Sequence, residues 1–220
     1  MNFITPSFFE FEPLKIANVT ENGSGRLEVA RFIGQYEKQC LREVLGESLA
    51  KELDDSYEIV SGMFALKASA TQQIKDLVNG KEYNALITSS GFYDQFFDAS
   101  GLNLYWGGES GIVNGKRTWS GIVRSEDFYN GVDLSTFKTS FIADYIHYHY
   151  LLVNRSVTTG TGQQVLAGEN SQTVSNFSKR IDSWNSFFTK VSSMYLFLQD
   201  NKTDYPTWKP NCNLRFKEKY

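Results

Sequence analysis

The feature that most narrows what this chain can fold into is an apolar seam running from about Thr173 to Leu198. Val174, Phe177, Ile181, Trp184, Phe188, Val191, Tyr195 and Leu198 succeed one another at alternating steps of three and four. No Gly or Pro interrupts them. That alternation keeps one face of an α-helix turned toward a partner surface. At 1.5 Å per residue the helix would run roughly 38 Å, longer than the usual globular helix. The clearest signal in the chain is therefore a packing device.

Other helices follow from the same periodicity. Arg26 to Leu45 places Val29, Ile33, Tyr36, Cys40 and Val44 on one side, and Gly46 is a stop residue. Glu47 to Asp54 restarts a short helix, with Leu49 and Leu53 inward. Ser69 to Val78 predicts another, closed by Asn79-Gly80, and Tyr83 to Thr88 reads as its continuation. Asp133 is the expected N-cap of a helix from Leu134 to Asn154. Its stripe of Phe137, Phe141, Tyr145, Tyr148 and Leu152 is widened by Ile142, Ile146 and Val153, which predicts a helix covered on most sides.

The helical pattern fails between residues 91 and 131, where eight of the 17 glycines fall. Ile112 to Trp119 reads there as a β-hairpin, because Asn114-Gly115 suits the two positive-φ positions of a type I′ turn. Residues 1–22 mix Phe3, Phe8, Phe9 and Phe11 with Pro6 and Pro13, and read as an extended arm. Thr158 to Asn170 is a long Gly-containing excursion. Beyond Leu198, Pro206 and Pro210 end helicity, leaving Tyr205, Trp208 and Phe216 as anchors on a tail. The expected fold is mainly α: a helical bundle with a long C-terminal helix, a small Gly-rich β-hairpin insertion, and extended N- and C-terminal arms. Its parts are an arm at 1–22, a helical body at 23–200 with the insertion at about 91–131, and a tail at 201–220.

At 220 residues the chain suffices for one domain with an insertion. A formal net charge of −3 argues against a dedicated nucleic-acid binder, which neutralises several phosphates with Lys and Arg. The tail from Asn201 carries +3, either as a solvated end or as a strap for an acidic neighbour. Cys40 and Cys212 are the only cysteines, so no disulfide framework and a reducing compartment are expected. The first residues show no basic stretch leading into an apolar core, and no apolar run nears the ~20 residues of a membrane span. A protein made and kept in a cytoplasm is the expectation.

Constellations for chemistry are wanting. His147 and His149 stand two apart on a helix, so they diverge and share no metal. Asp144 and His147 lie three apart, within hydrogen-bonding reach, and read as a structural pair or as a surface pair on a buried helix. Gly23-Ser24-Gly25 and Gly160-Thr161-Gly162 lack the strand and helix context of a phosphate loop. Asp94 and Asp98 say little about acid–base chemistry without a cleft, and Cys40 has no base beside it. No enzyme, cofactor or metal is expected. Tyr105-Trp106-Gly107-Gly108, with Trp119 across the hairpin, is the best candidate for ligand contact. Its rings either stack on a sugar or fill a partner's pocket, or they cap a small sheet.

Several segments in order resemble one family. They are Ile16-Ala17-Asn18, Phe32-Ile33-Gly34-Gln35-Tyr36-Glu37, Leu41 through Val44-Leu45-Gly46, and Leu77-Val78-Asn79-Gly80-Lys81-Glu82-Tyr83. Trp119-Ser120-Gly121-Ile122, the run from Ser140 to Leu151, Thr158-Thr159-Gly160 and Trp184-Asn185 follow. Over roughly residues 16–200 this order resembles the small head–tail connector (adaptor or neck) proteins of tailed bacteriophages, especially crAss-like and related gut phages. The insertion at 91–131 departs from the family pattern. The resemblance implies a virion structural protein, made in the host cytoplasm and placed at the head–tail interface. It implies a homo-oligomeric ring of twelve copies docked on the portal protein and leading to tail or neck proteins. Genomic DNA would pass through the lumen without sequence-specific contact, and no membrane is involved. The expected interface residues are Phe8, Phe9, Phe11, Tyr105, Trp106, Trp119, Thr159, Gly160, Tyr205, Trp208, Arg215 and Phe216. The rival expectation is a carbohydrate- or protein-binding module that uses the aromatics of the insertion.

Overall fold

A computed structural model describes residues 3–19, 23, 25–60, 63–84, 116–129, 134–153, 157–159, 162–164 and 177–209. The chain is mainly helical, with a few small antiparallel strand pairs. In order come a short 3-10 turn (Pro6–Phe9), α1 (Gly25–Asp55), β1 (Tyr57–Val60), β2 (Met63–Leu66), α2 (Gln72–Asn79), β3 (Lys81–Asn84) and β4 (Lys116–Trp119). Then follow β5 (Arg124–Tyr129), β6 (Leu134–Thr139), α3 (Phe141–Val153), β7 (Val157–Thr159), β8 (Gly162–Gln164) and α4 (Phe177–Asp200).

The seam helix is α4. Ile181, Phe188, Val191, Tyr195 and Leu198 are buried, and Phe177 and Trp184 half-buried. Residues 173–176, including Val174, lie outside the described residues. Phe187, Met194, Leu196 and Phe197 are buried as well, so the C-terminal half of α4 is enclosed on more than its seam. α3 packs against both α4 and α1. Every residue from Phe141 to Tyr148 is buried, as its broad stripe predicts.

α1 bends where the sequence predicts a stop. Gly46 has φ 77° and ψ 161°, outside helical geometry, while helix continues on either side. That region is essentially reserved for glycine, so the bend is written into one residue. Gly46→Ala is expected to cost about 1–3 kcal/mol, read from the urea midpoint. Only the alanine's backbone strain is tested, because an added Cβ would meet no atom closer than 3.7 Å.

Several strand assignments differ from expectation. Lys81–Asn84 does not prolong the preceding helix: it is β3, paired antiparallel with β4 from Lys81↔Trp119 to Asn84↔Lys116. Trp119 therefore belongs to a pairing between segments distant in sequence, and Asn114-Gly115 lies outside the described residues. Two glycines let the chain cross itself there. A Cβ on Gly80 would come within 2.3 Å of the Trp119 carbonyl oxygen, and one on Gly121 within 2.5 Å of that of Val78. Leu134–Thr139 is also strand, paired with β5 over six residues, so the helix expected from Leu134 begins only at Phe141. Thr136 and Thr139 are β-branched and favour strand. Ser140 is the working cap: its Oγ accepts the Ile142 N–H at 3.2 Å and donates to the Ile122 carbonyl at 2.8 Å. β1–β2 and β7–β8 are local antiparallel pairs that periodicity did not predict.

The extended arms are overturned wherever the structure describes them. Ile4, Phe8, Phe9, Leu14, Ile16 and Val19 are buried in the core, so residues 3–19 lie on their own body. The tail turns back too. Tyr205 packs edge-on against Phe197 at 5.6 Å, and Trp208 against Tyr195 at 5.3 Å. Each large ring gains roughly 1.5–3 kcal/mol by leaving water, and a groove on the same chain is the nearest apolar surface.

Candidate interaction surface

Of the twelve residues expected at an interface, Phe11 alone among the described residues presents a large exposed ring, 58% accessible. Phe8 and Phe9 are core residues, and Phe9 stacks on the His147 ring at 6.4 Å. Trp119 is 4% exposed, lies parallel to Phe197 at 6.0 Å, and donates its indole N–H to the Leu77 carbonyl at 2.8 Å. It caps the β3–β4 pair from within and cannot stack on a sugar. Tyr205 and Trp208 are buried, and the Tyr205 hydroxyl donates to the Gln73 carbonyl at 2.7 Å. Those five rings hold the chain to itself. Thr159 lies in β7, whereas Tyr105, Trp106, Gly160, Arg215 and Phe216 fall outside the described residues.

Phe11 forms part of the wall of a cleft of about 200 Å³ between the N-terminal segment and β6. Glu10, Glu12, Phe137 and Lys138 also line it, together with Asp144 of α3 and Lys190 of α4. The Asp144 carboxylate, 1% exposed, accepts from Lys190 Nζ at 2.7 Å and from Ser186 Oγ at 3.1 Å. Burial pushes its pKa above the ordinary carboxylate value, against the ammonium and hydroxyl that pull it down. One turn along α3, His147 Nδ1 lies 2.7 Å from Ser183 Oγ. Ser183 gives its single proton to the Lys179 carbonyl at 2.9 Å, which assigns the ring proton to Nδ1. Burial lowers the His147 pKa to about 4, so the imidazole is neutral near pH 7.

Asp144 and His147 are therefore not each other's partners. Each forms a separate polar rung from α3 to α4, and the two rungs fix the register of the central helix pair. The sequence carried a trace of this in the spacing of Ser183, Ser186 and Lys190, which share one side of α4. Periodicity of apolar residues alone passes over it.

A third polar link ties β4 to the end of α4: Arg117 Nη1 lies 2.8 Å from Asp200 Oδ2, both side chains almost fully buried. Cys40 is a buried small residue of α1. Among the described residues, no three His, Cys, Asp or Glu side chains converge as a metal site would require. No helix among them is long and apolar enough to cross a membrane. No family model, curated protein or solved structure matches the chain.

Proposed function

We propose that this chain is a virion structural protein, one subunit of a head–tail connector ring that joins portal to tail in a tailed bacteriophage. The observation that carries the reading is the order of family-like segments across roughly residues 16–200. Its physical support is the helix pair α3 and α4, joined by buried polar rungs, which suits a subunit that must stay stiff in an assembly. A ring needs heterologous side faces that close by rotation. Among the described residues, Phe11 is a large exposed ring available to serve one of them. The homo-oligomer is a ring of twelve copies, its partners are the portal and the tail or neck proteins, and DNA passes through the lumen without sequence-specific contact.

Native mass spectrometry tests this directly, on the protein alone and mixed with a portal ring. The expected species are multiples of 25.0 kDa, or a portal with copies of the chain attached. A strict monomer that joins no portal would overturn the reading. Phe11→Ser sharpens the test. As a surface change it should alter stability by less than about 0.5 kcal/mol. It should weaken association tenfold or more, since burying a Phe side chain contributes about 1.5–3 kcal/mol.

A further inference from the structure

Glu37 is buried in the middle of α1, 1% exposed, and its hydrogen-bond partners among the described residues are two backbone N–H groups. Its Oε1 accepts the Phe3 N–H at 2.8 Å and its Oε2 the Ile4 N–H at 3.3 Å. No Lys or Arg forms an ion pair with it among the described residues; its neighbour Lys38 lies instead 3.6 Å from Asp54. The segment so held, residues 3–19, contains no regular structure beyond one 3-10 turn and covers both α1 and α3. An ion pair on the same segment, Glu12 to Lys179 at 3.6 Å, is exposed and contributes little.

We propose that residues 3–19 are a detachable strap whose docking is set by the protonation of Glu37, closed when the carboxyl carries its proton and loosened when it ionises. This holds whether or not the connector reading does. A carboxylate out of water whose described donors are two neutral N–H groups is poorly compensated, whereas its protonated form is not penalised in the same way. Burial raises the Glu37 pKa from 4.5 to about 7, opposed by the two N–H bonds, the terminal amine and Lys38.

The sign follows from linkage. The docked state has the higher pKa, so docking takes up a proton. Docking is strongest below the ordinary carboxyl pKa, weakens as pH rises toward about 7, and is flat beyond. Between about pH 5 and pH 8.5 the docking constant should fall on the order of a hundredfold.

Other groups face the strap. Cys40 of α1 and Tyr57 of β1 are both pushed up, first by burial, then Cys40 by the Glu43, Glu37 and Asp144 charges and Tyr57 by that of Glu37. His147 of α3, beneath Phe9, is neutral above about pH 4. Asp144 of α3 and Lys190 of α4 line the cleft beside the strap, so a Glu37 variant must separate their contribution.

Hydrogen exchange on the full chain reads the strap directly, with rates corrected for intrinsic pH dependence. Protection of the amides in 3–19 should fall on the order of a hundredfold from about pH 5 to pH 8.5, while amides of 187–198 keep theirs. In Glu37→Gln the protection of 3–19 should not vary with pH. Unchanged protection in the parent, an equal fall in the variant, or a fall in step with 187–198 overturns the proposal. If the variant does not fold, the carboxyl ¹³C titration of Glu37 in the parent decides. A midpoint near 7 supports the switch, and one near 4.5 removes it.

Discussion

Phe197→Ala is expected to destabilise the protein by about 4 kcal/mol, with a lower urea midpoint and an unchanged m-value. Phe197 is 1% exposed and joins three parts of the chain. Its ring meets Tyr83 of β3 edge-on at 5.2 Å, Trp119 of β4 face-on at 6.0 Å, and Tyr205 of the returning tail at 5.6 Å. Truncation would remove the transfer energy of the ring and leave a void that three other large rings cannot close without breaking their own bonds. Trp119 is held by its bond to Leu77 and Tyr205 by its bond to Gln73. Phe197→Leu keeps much of the volume and should cost only about 1.5 kcal/mol. A double-mutant cycle with Trp119 should report a coupling of about 0.5–1.5 kcal/mol for the stacked pair. A loss below about 1 kcal/mol for Phe197→Ala would mean that the β3–β4 pair and tail are not packed on α4 as described.

Lys190→Met is expected to cost about 3–5 kcal/mol at neutral pH. Among the described residues, the variant leaves the buried Asp144 carboxylate with the Ser186 hydroxyl alone. The pH dependence distinguishes this from simple loss of packing. Burial already holds Asp144 above its ordinary pKa of 3.8, and Lys190 is the main influence pulling it down. Without the ammonium the folded-state pKa rises further, so folding of the variant takes up a proton. Its deficit should be largest above that raised pKa and shrink as pH falls toward the ordinary carboxyl value. Stability measured at neutral and at mildly acid pH gives the comparison. Pairing the change with Asp144→Asn should recover much of the loss, since no buried charge is then stranded. A deficit equal at both pH values would show that Asp144 carries no buried charge.

The legible parts of the structure are those whose cause lies within a few residues. The α4 seam is visible because a helix repeats every 3.6 residues, so its buried face writes itself into local spacing. The bend of α1 is visible for a similar reason: Gly46 adopts a conformation that other residues resist. Cys40 falls on the inward side of that helix and is buried as its position predicts.

The misread start of α3 marks where local reading fails. Phe137 and Phe141 fit one helical stripe, yet Phe137 lies in a strand, because β5 offers Leu134–Thr139 a paired edge. Likewise nothing near Lys81 announces that its partner is Trp119. Strand partners meet across loops whose closure the local sequence does not encode.

The rings of residues 3–19 and 201–209 show the other limit. Sequence established that aromatic side chains flank a helical body. Read from sequence, Phe8, Phe9, Phe11, Tyr205 and Trp208 were expected on arms that reach a neighbour, an expectation that spacing cannot test because an apolar ring is satisfied by any dry surface. Tertiary structure decided it, by presenting grooves that take Phe9, Tyr205 and Trp208 and leave Phe11 in water. Helical periodicity is a property of the chain, whereas burial of a ring outside any period is a property of the surface it finds.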